Sequence, residues 1–413
     1  MRGAIRSTVN VIKEDALATM PVSPKNVRLS SKRGGCGPSC AYSNINTSSS
    51  SLDEKNDDTH SSALLRHYQL DATQFSSITR RAIKELKSDD ETEYFLRVTC
   101  RPNWMLDFLA GLLRKYLRWS LTDVNALLGR GQMFVLSTEQ AKDLLQIKDR
   151  GGSLLDVGAG DGGVTARLSP LFSHVTCTEV SAPMCRRLKA RTGVINEVFK
   201  TDTLSSSQGA PFNRDNSFDV VSILNVIDRC DNPATLLRDA CRLVKRESGR
   251  VLLAVVLPFS EFVEVNADRR SPLGPLPMKG ARCSDGVSLE TSLDALLNRV
   301  LLTHPLGGSM YKSDIYQSDD SFDKVKIELG DLSDTQSLVS WGKKEDIKNN
   351  NEENIEEEEE GPCMVLERIA RVPYLCSGDT SSRKRYFVLS DAIVVLRHAT
   401  REEKELGTRV VTL

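Results

Sequence analysis

From position 153 onward, short apolar runs alternate with amphipathic stretches. The runs are LLDV (154–157), HVTCTEV (174–180), FDVVSILNV (218–226) and RVLLAVVLPF (250–259). Between them, apolar residues recur at helical spacing from about Gly163, through Met184 and Leu188, and near 234–244. Strands alternating with helices predict parallel βαβ units in a doubly wound, mostly parallel sheet. Two later runs, MVLERIARVPYL (364–375) and YFVLSDAIVVLR (386–397), read as a final antiparallel pair. Upstream, WMLDFLAGLLRKYLRWSL (104–121) is apolar nearly all round at helical spacing, which predicts one buried helix.

Polar tracts divide the chain. Residues 1–63 are rich in Ser and Asn and cannot bury enough apolar surface to fold, so they are expected to be disordered. Residues 64–121 form a helical extension, and 122–400 the main domain. A segment at about 306–361 interrupts that domain and ends in NNNEENIEEEEEG, a run of like charge expected to be a solvated loop.

Composition adds little to this picture. A formal net charge of −1 gives no overall basic field, so no nucleic-acid partner is expected. No run of about 18 apolar residues occurs, so no membrane span is expected. The first 35 residues carry Arg2, Arg6, Lys13, Lys25, Arg28, Lys32 and Arg33 against Glu14 and Asp15. That loosely resembles a transit peptide, but a disordered tail and a cytoplasmic location are the favoured expectations. The ten cysteines show no regular framework and read as reduced thiols. Cys36 and Cys40 form a CxxxC with no second pair and no nearby histidine, so no metal is expected.

The chemistry begins where LLDV runs into GAGDGG. Asp156, Gly158 and Gly160 form the DxGxG pattern of S-adenosylmethionine (SAM) binders, where the chain turns sharply and a ligand approaches the backbone. Glu179 closes the second strand, where an acid accepts hydrogen bonds from both hydroxyls of a ribose. Gly158, Gly160 and Gly163 also fit the GxGxxG of NAD binders, and Glu179 suits that reading equally. Asp156 before the first glycine, the absence of a Tyr-x-x-x-Lys pair, and the residues after the fourth strand favour SAM.

That fourth strand ends in Asn225-Val226-Ile227-Asp228. In open α/β sheets the ligand lies outside the carboxyl ends of the strands. The chain has no Pro-Pro, so an amide and a carboxylate, not a proline–aromatic clamp, hold the acceptor. This suits imidazole: Asp228 accepting one ring N–H aims the other nitrogen at the methyl group. The alternative role for Asp228 and Asp231 is to cap the next helix.

LLGRGQMFVLS (127–137), LLDVGAGDGGVT (154–165), NVIDRCDNPATLL (225–237), RVLLAVVLPFSEFVEV (250–265) and RVPYLCSGD (371–379) together resemble the methyltransferase-like protein 9, or DREV, family. The resemblance implies a Rossmann-like class I SAM-dependent methyltransferase that forms N-pros-methylhistidine in His-x-His motifs of protein substrates. It implies SAM binding by Asp156, Gly158, Gly160 and Glu179, with the Arg130-Gly131 turn beside the cofactor. It implies Asn225 and Asp228 as the catalytic pair that recognises the target histidine, joined by Tyr386. The family's tail reads Tyr-Tyr-Val-Leu where this chain has Tyr386-Phe387-Val388-Leu389, so one hydroxyl is missing. The family's apolar N-terminal targeting segment is not seen here, against the endoplasmic-reticulum or mitochondrial location the resemblance implies. Methyl transfer to another acceptor and an inactive scaffold remain the alternatives. None of the five histidines forms His-x-His, so this chain is not expected to be its own substrate.

Overall fold

A computed structural model of the chain describes residues 64–98, 103–302, 364–378 and 386–403. The expected disorder at 1–63 and 306–361, and the Cys36–Cys40 pair, lie outside these residues.

Four helices come first: α1 (Ser77–Arg81), α2 (Asp90–Val98), α3 (Trp104–Leu117) and α4 (Leu121–Leu128). Then follow β1 (Met133–Phe134), α5 (Thr138–Leu145), β2 (Ser153–Val157), α6 (Thr165–Leu168), β3 (His174–Glu179), α7 (Ala182–Ala190) and β4 (Glu197–Lys200). The second half contains β5 (Val220–Leu224), α8 (Pro233–Leu243), β6 (Arg250–Val256), a small hairpin of β7 (Val263–Val265) and β8 (Asp268–Arg270), and α9 (Leu289–Leu296). Last come β9 (Met364–Ser377) and β10 (Tyr386–His398).

Eight strands form one sheet in the order β1-β9-β10-β6-β5-β2-β3-β4. The five from β6 to β4 are parallel, while β10 runs antiparallel to both β6 and β9. The chain builds outward from β2 in both directions, so a crevice opens at the carboxyl ends of β2 and β5. Both faces of the sheet are covered, which is why its strands read as nearly continuous apolar runs. Leu155, Val221, Ile223, Val251 and Leu253 pack on one side, and Leu154, Val175, Val220 and Leu252 on the other.

The extension packs on this core. Leu64, Tyr68, Leu86, Phe95 and Leu96 join the cluster on one face, and Phe75 and Ala82 join the other. His67 hydrogen-bonds Ser390 on β10 at 2.7 Å.

The expected buried helix at 104–121 differs from the structure in two ways. It ends at Leu117, because Arg118 takes a left-handed conformation and Ser120 caps a new helix at Leu121. It is also largely exposed: Trp104 is 69% accessible, Phe108 64% and Tyr116 69%, and only Ala110 is buried. One side of α3 packs on α4, and no described element covers the other. All-round apolar character predicts burial only where the fold supplies a second neighbour.

Strands β1, β4, β7 and β8 were not foreseen. Each is short, and β4 and β8 carry charged residues at both ends, which blunts a strand's apolar signal.

Candidate active site

The glycine loop after β2 is held from behind by Asp156. This carboxylate is buried and accepts hydrogen bonds from Thr165 Oγ1 at 2.5 Å and Ser222 Oγ at 2.6 Å. Burial pushes it up to about 6, and the two hydroxyls partly offset that. Both oxygens are thereby engaged with α6 and β5. Asp156 is placed to shape the loop, not to face a ligand.

Gly158 and Gly160 have φ of +67° and +58°, a region that disfavours side chains. Their surroundings differ. A Cβ at Gly158 would lie 2.7 Å from Val226 Cγ2, so this glycine lets β2 exit against the turn after β5. A Cβ at Gly160 would meet only Met133 Cε, at 4.0 Å, so this glycine borders open space. Beside it, Glu179 accepts the Gly160 N–H at 2.9 Å and the Ser181 N–H at 2.8 Å. Burial raises the Glu179 carboxyl, and these backbone donors lower it again. Val180 adds a third backbone donor, which leaves about one of the carboxylate's four acceptor sites open to a further donor.

Helix α4 supports this corner. Asp123 accepts from Ser181 Oγ at 2.6 Å, and Arg187 donates to Ala126 O at 2.7 Å. The Arg130-Gly131 turn follows α4. Arg130 is ion-paired with Asp107 of α3, and a Cβ at Gly131 would collide with Asn125. Arg130 thus ties α3 to the turn.

The second half of the site lies at the end of β5. Asn225 sits in the left-handed region at φ +59° and donates its backbone N–H to Ala254 O of β6 at 2.9 Å. Its Nδ2 donates to Asp391 Oδ2 of β10 at 2.7 Å. Asp228 is buried and pairs through Oδ2 with Arg229 Nη1 at 2.8 Å. Burial raises its carboxyl while Arg229 lowers it. Asp391 is fully buried, which pushes it up to about 8, with the Asp228 charge adding to the rise. Asn225 Oδ1, Asp228 Oδ1 and Asp391 Oδ1 are all buried without a hydrogen-bond partner. Such oxygens are costly to leave unpaired, and those of Asn225 and Asp228 each call for a donor.

Tyr374 of β9 closes this corner. Its hydroxyl lies 2.6 Å from Met133 Sδ, and burial and nearby Asp391 hold the phenol neutral. Tyr386 opens β10 opposite Ser377 and packs on the apolar cluster. The tyrosine that the geometry associates with Asp391 is therefore Tyr374. Asp231, the other acid after β5, is taken up by Arg270 of β8 at 2.5 and 2.6 Å.

Asp391 and Tyr374 were given no role from the sequence. The signal was present: Asp391 is a carboxylate within the apolar run YFVLSDAIVVLR, and a buried strand tolerates one only with partners.

The chain matches the DREV methyltransferases over residues 67–297, more than half its length. It belongs to the DREV methyltransferase family. That resolves the glycine fingerprint, since the family and the fold are those of SAM-dependent methyltransferases. Among solved structures, a putative methyltransferase of Bacillus halodurans is 20% identical, over 29% of this chain and 50% of its own, with a TM-score of 0.25. The putative methyltransferase in a complex with the Trm112 activator of Haloferax volcanii is 20% identical, over 33% and 60%, with a TM-score of 0.25. The trans-methyltransferase CalH, solved with SAH, is 21% identical, over 28% and 35%, with a TM-score of 0.24. The chain spans about half the length of the first structures it matches, and the family assignment does not rest on them.

Among the described residues, no helix is long and apolar enough to cross a membrane, and no group of His, Cys, Asp or Glu is placed to hold a metal ion.

Proposed function

We propose that this DREV protein is a SAM-dependent protein-histidine N-methyltransferase. The observation that carries this reading is the pair of buried, unpaired oxygens on Asn225 and Asp228. They call for an acceptor that brings an N–H into the pocket and still has a lone pair to react. Neutral imidazole has one nitrogen of each kind.

The cofactor side fits SAM. The open space over Gly160 admits a ligand against the backbone, and the remaining acceptor site of Glu179 suits a ribose hydroxyl. When bound, SAM supplies an electrophilic methyl group. The protein's own residues then position the acceptor. Asp228, paired with Arg229, accepts the ring N–H, fixes the tautomer and leaves the other nitrogen free to attack. As that nitrogen gains the methyl, the ring becomes cationic, and the Asp228 carboxylate stabilises it. The ring's remaining proton then departs through Asp228 to solvent. The family resemblance supports N-pros as the reacting nitrogen and His-x-His as the motif read in substrate proteins.

The test is methyl incorporation into His-x-His peptides, with the product located by fragmentation. Transfer to histidine is expected, reduced when either histidine is changed to alanine. Methyl on lysine or arginine, or equal rates on single-histidine peptides, would overturn the assignment.

A further inference from the structure

We infer that Asp391 is a positioning residue for the methyl acceptor: it holds the Asn225 carboxamide with its nitrogen turned away, so that the amide oxygen is what the acceptor meets. This rests on reading the Asn225–Asp228 pocket as the acceptor's.

An asparagine side chain presents either an oxygen or an NH2, and the two ends select opposite ligands. The backbone of Asn225 is fixed in an uncommon conformation, with its N–H spent on Ala254 of β6. Its side chain has one described partner, Asp391 Oδ2, which takes Nδ2 at 2.7 Å. Oδ1 is then left buried and without a hydrogen-bond partner, as is Asp228 Oδ1. Reversing the amide would set Oδ1 against the Asp391 oxygen and turn NH2 towards the acceptor. The pocket would then offer a donor where an imidazole N–H also donates.

The antiparallel hairpin makes this possible. Asp391 pairs with Val256 at the carboxyl end of β6, next to the end of β5. A parallel strand at that position would bring its own carboxyl end, and a long connection, to the same edge. Asp391 reaches it from an antiparallel strand interior, locked between β6 and β9. The ionisable groups around it are Asp228 and Arg229 from the turn after β5 and Tyr374 from β9. Burial and the Asp228 carboxyl push Asp391 up to about 8, so at lower pH it is a neutral acid, and Arg229 stays paired to Asp228. The neutral acid still accepts from Nδ2 through its carbonyl oxygen, as an asparagine would, and its other oxygen then carries the proton.

The experiment compares Asp391→Asn, Asp391→Leu, Asn225→Ala and the Asn225→Ala/Asp391→Leu double variant. The readouts are acceptor KM and kcat from pH 6.5 to 9.5, SAM affinity by calorimetry, and melting temperature. Asp391→Leu is expected to lower acceptor kcat/KM about ten- to a hundredfold, in line with leaving a buried polar partner unmet, at unchanged SAM affinity. The double variant should be no worse than Asn225→Ala, since both changes remove one device. Asp391→Asn should recover most of the neutral-pH rate and lack the alkaline decline expected of wild type as Asp391 ionises, near 8. Additive losses in the double variant, or the same alkaline limb in Asp391→Asn, would overturn the inference. If Asp391→Leu does not fold, the Asn variant's pH profile decides alone. The ratios are read on whichever acceptor the wild type methylates, so a non-histidine product would sink the histidine reading and leave this test intact.

Discussion

At the scale of single residues, two neighbouring glycines do different jobs, and the difference is measurable. Gly158→Ala places a methyl 2.7 Å from Val226 within a left-handed backbone. Its main effect is expected on melting temperature. Gly160→Ala carries the left-handed strain, roughly 1–2 kcal/mol, but its methyl enters open space beside Glu179. Its loss of SAM affinity in calorimetry should exceed its loss of stability; the reverse order would place the cofactor elsewhere. Asp228→Asn removes the carboxyl proposed to accept the ring proton. Methyl transfer should fall about 10²–10⁴-fold with SAM affinity kept. A fully active variant would leave Asp228 as a structural acid. The sequence showed Asn225 and Asp228 because they follow a recognisable strand. It did not show Asp391, whose partner lies 166 positions away. Nor did it reveal that Asp156 is enclosed by Thr165 and Ser222, since neither pairing has a local signature.

At the scale of elements, the six long strand segments were legible because burial on both faces demands continuous apolar runs. The two-residue β1 and the charged-ended β4 gave no such run. Helix α3 shows the opposite failure, an apolar segment without a cover among the described residues. Phe108→Ser should therefore change unfolding free energy by no more than about 0.5 kcal/mol in urea melts, against the roughly 3–5 kcal/mol of a buried phenylalanine. A core-sized loss would restore the buried-helix reading. The contact between the extension and β10 makes a separate prediction. His67 is buried against Ser390, and burial with Arg371 and Arg66 nearby lowers it from 6.5 to about 4. Because its folded value lies below its unfolded one, this stability is present above pH 6.5 and lost as pH falls towards 4. The loss is at most about 3 kcal/mol at 1.36 kcal/mol per unit. His67→Gln should flatten the stability difference between pH 7 and 4.5; an unchanged acid dependence would show that another group is responsible.

At the scale of the whole molecule, one sheet carries both halves of the site. On the proposed reading, parallel strands β2 and β3 supply the cofactor edge, and the turn after β5 with the β9–β10 hairpin supplies the acceptor edge. Saturation with SAM should accordingly stabilise the entire sheet. At a hundred times Kd the gain is about 2.7 kcal/mol, read as a raised melting temperature. A melting temperature indifferent to SAM would contradict the assigned pocket. The order of the strands has a further consequence for how the molecule comes into being. Strand β10, the last described in the chain, lies inside the sheet between β6 and β9. A growing polypeptide can assemble the cofactor edge well before residue 391 exists, but not the acceptor edge. Closing it requires a pairing across 166 positions, and distant pairings slow folding because loop entropy is lost before contacts repay it. A partly made molecule would therefore hold its methyl donor with no means of spending it.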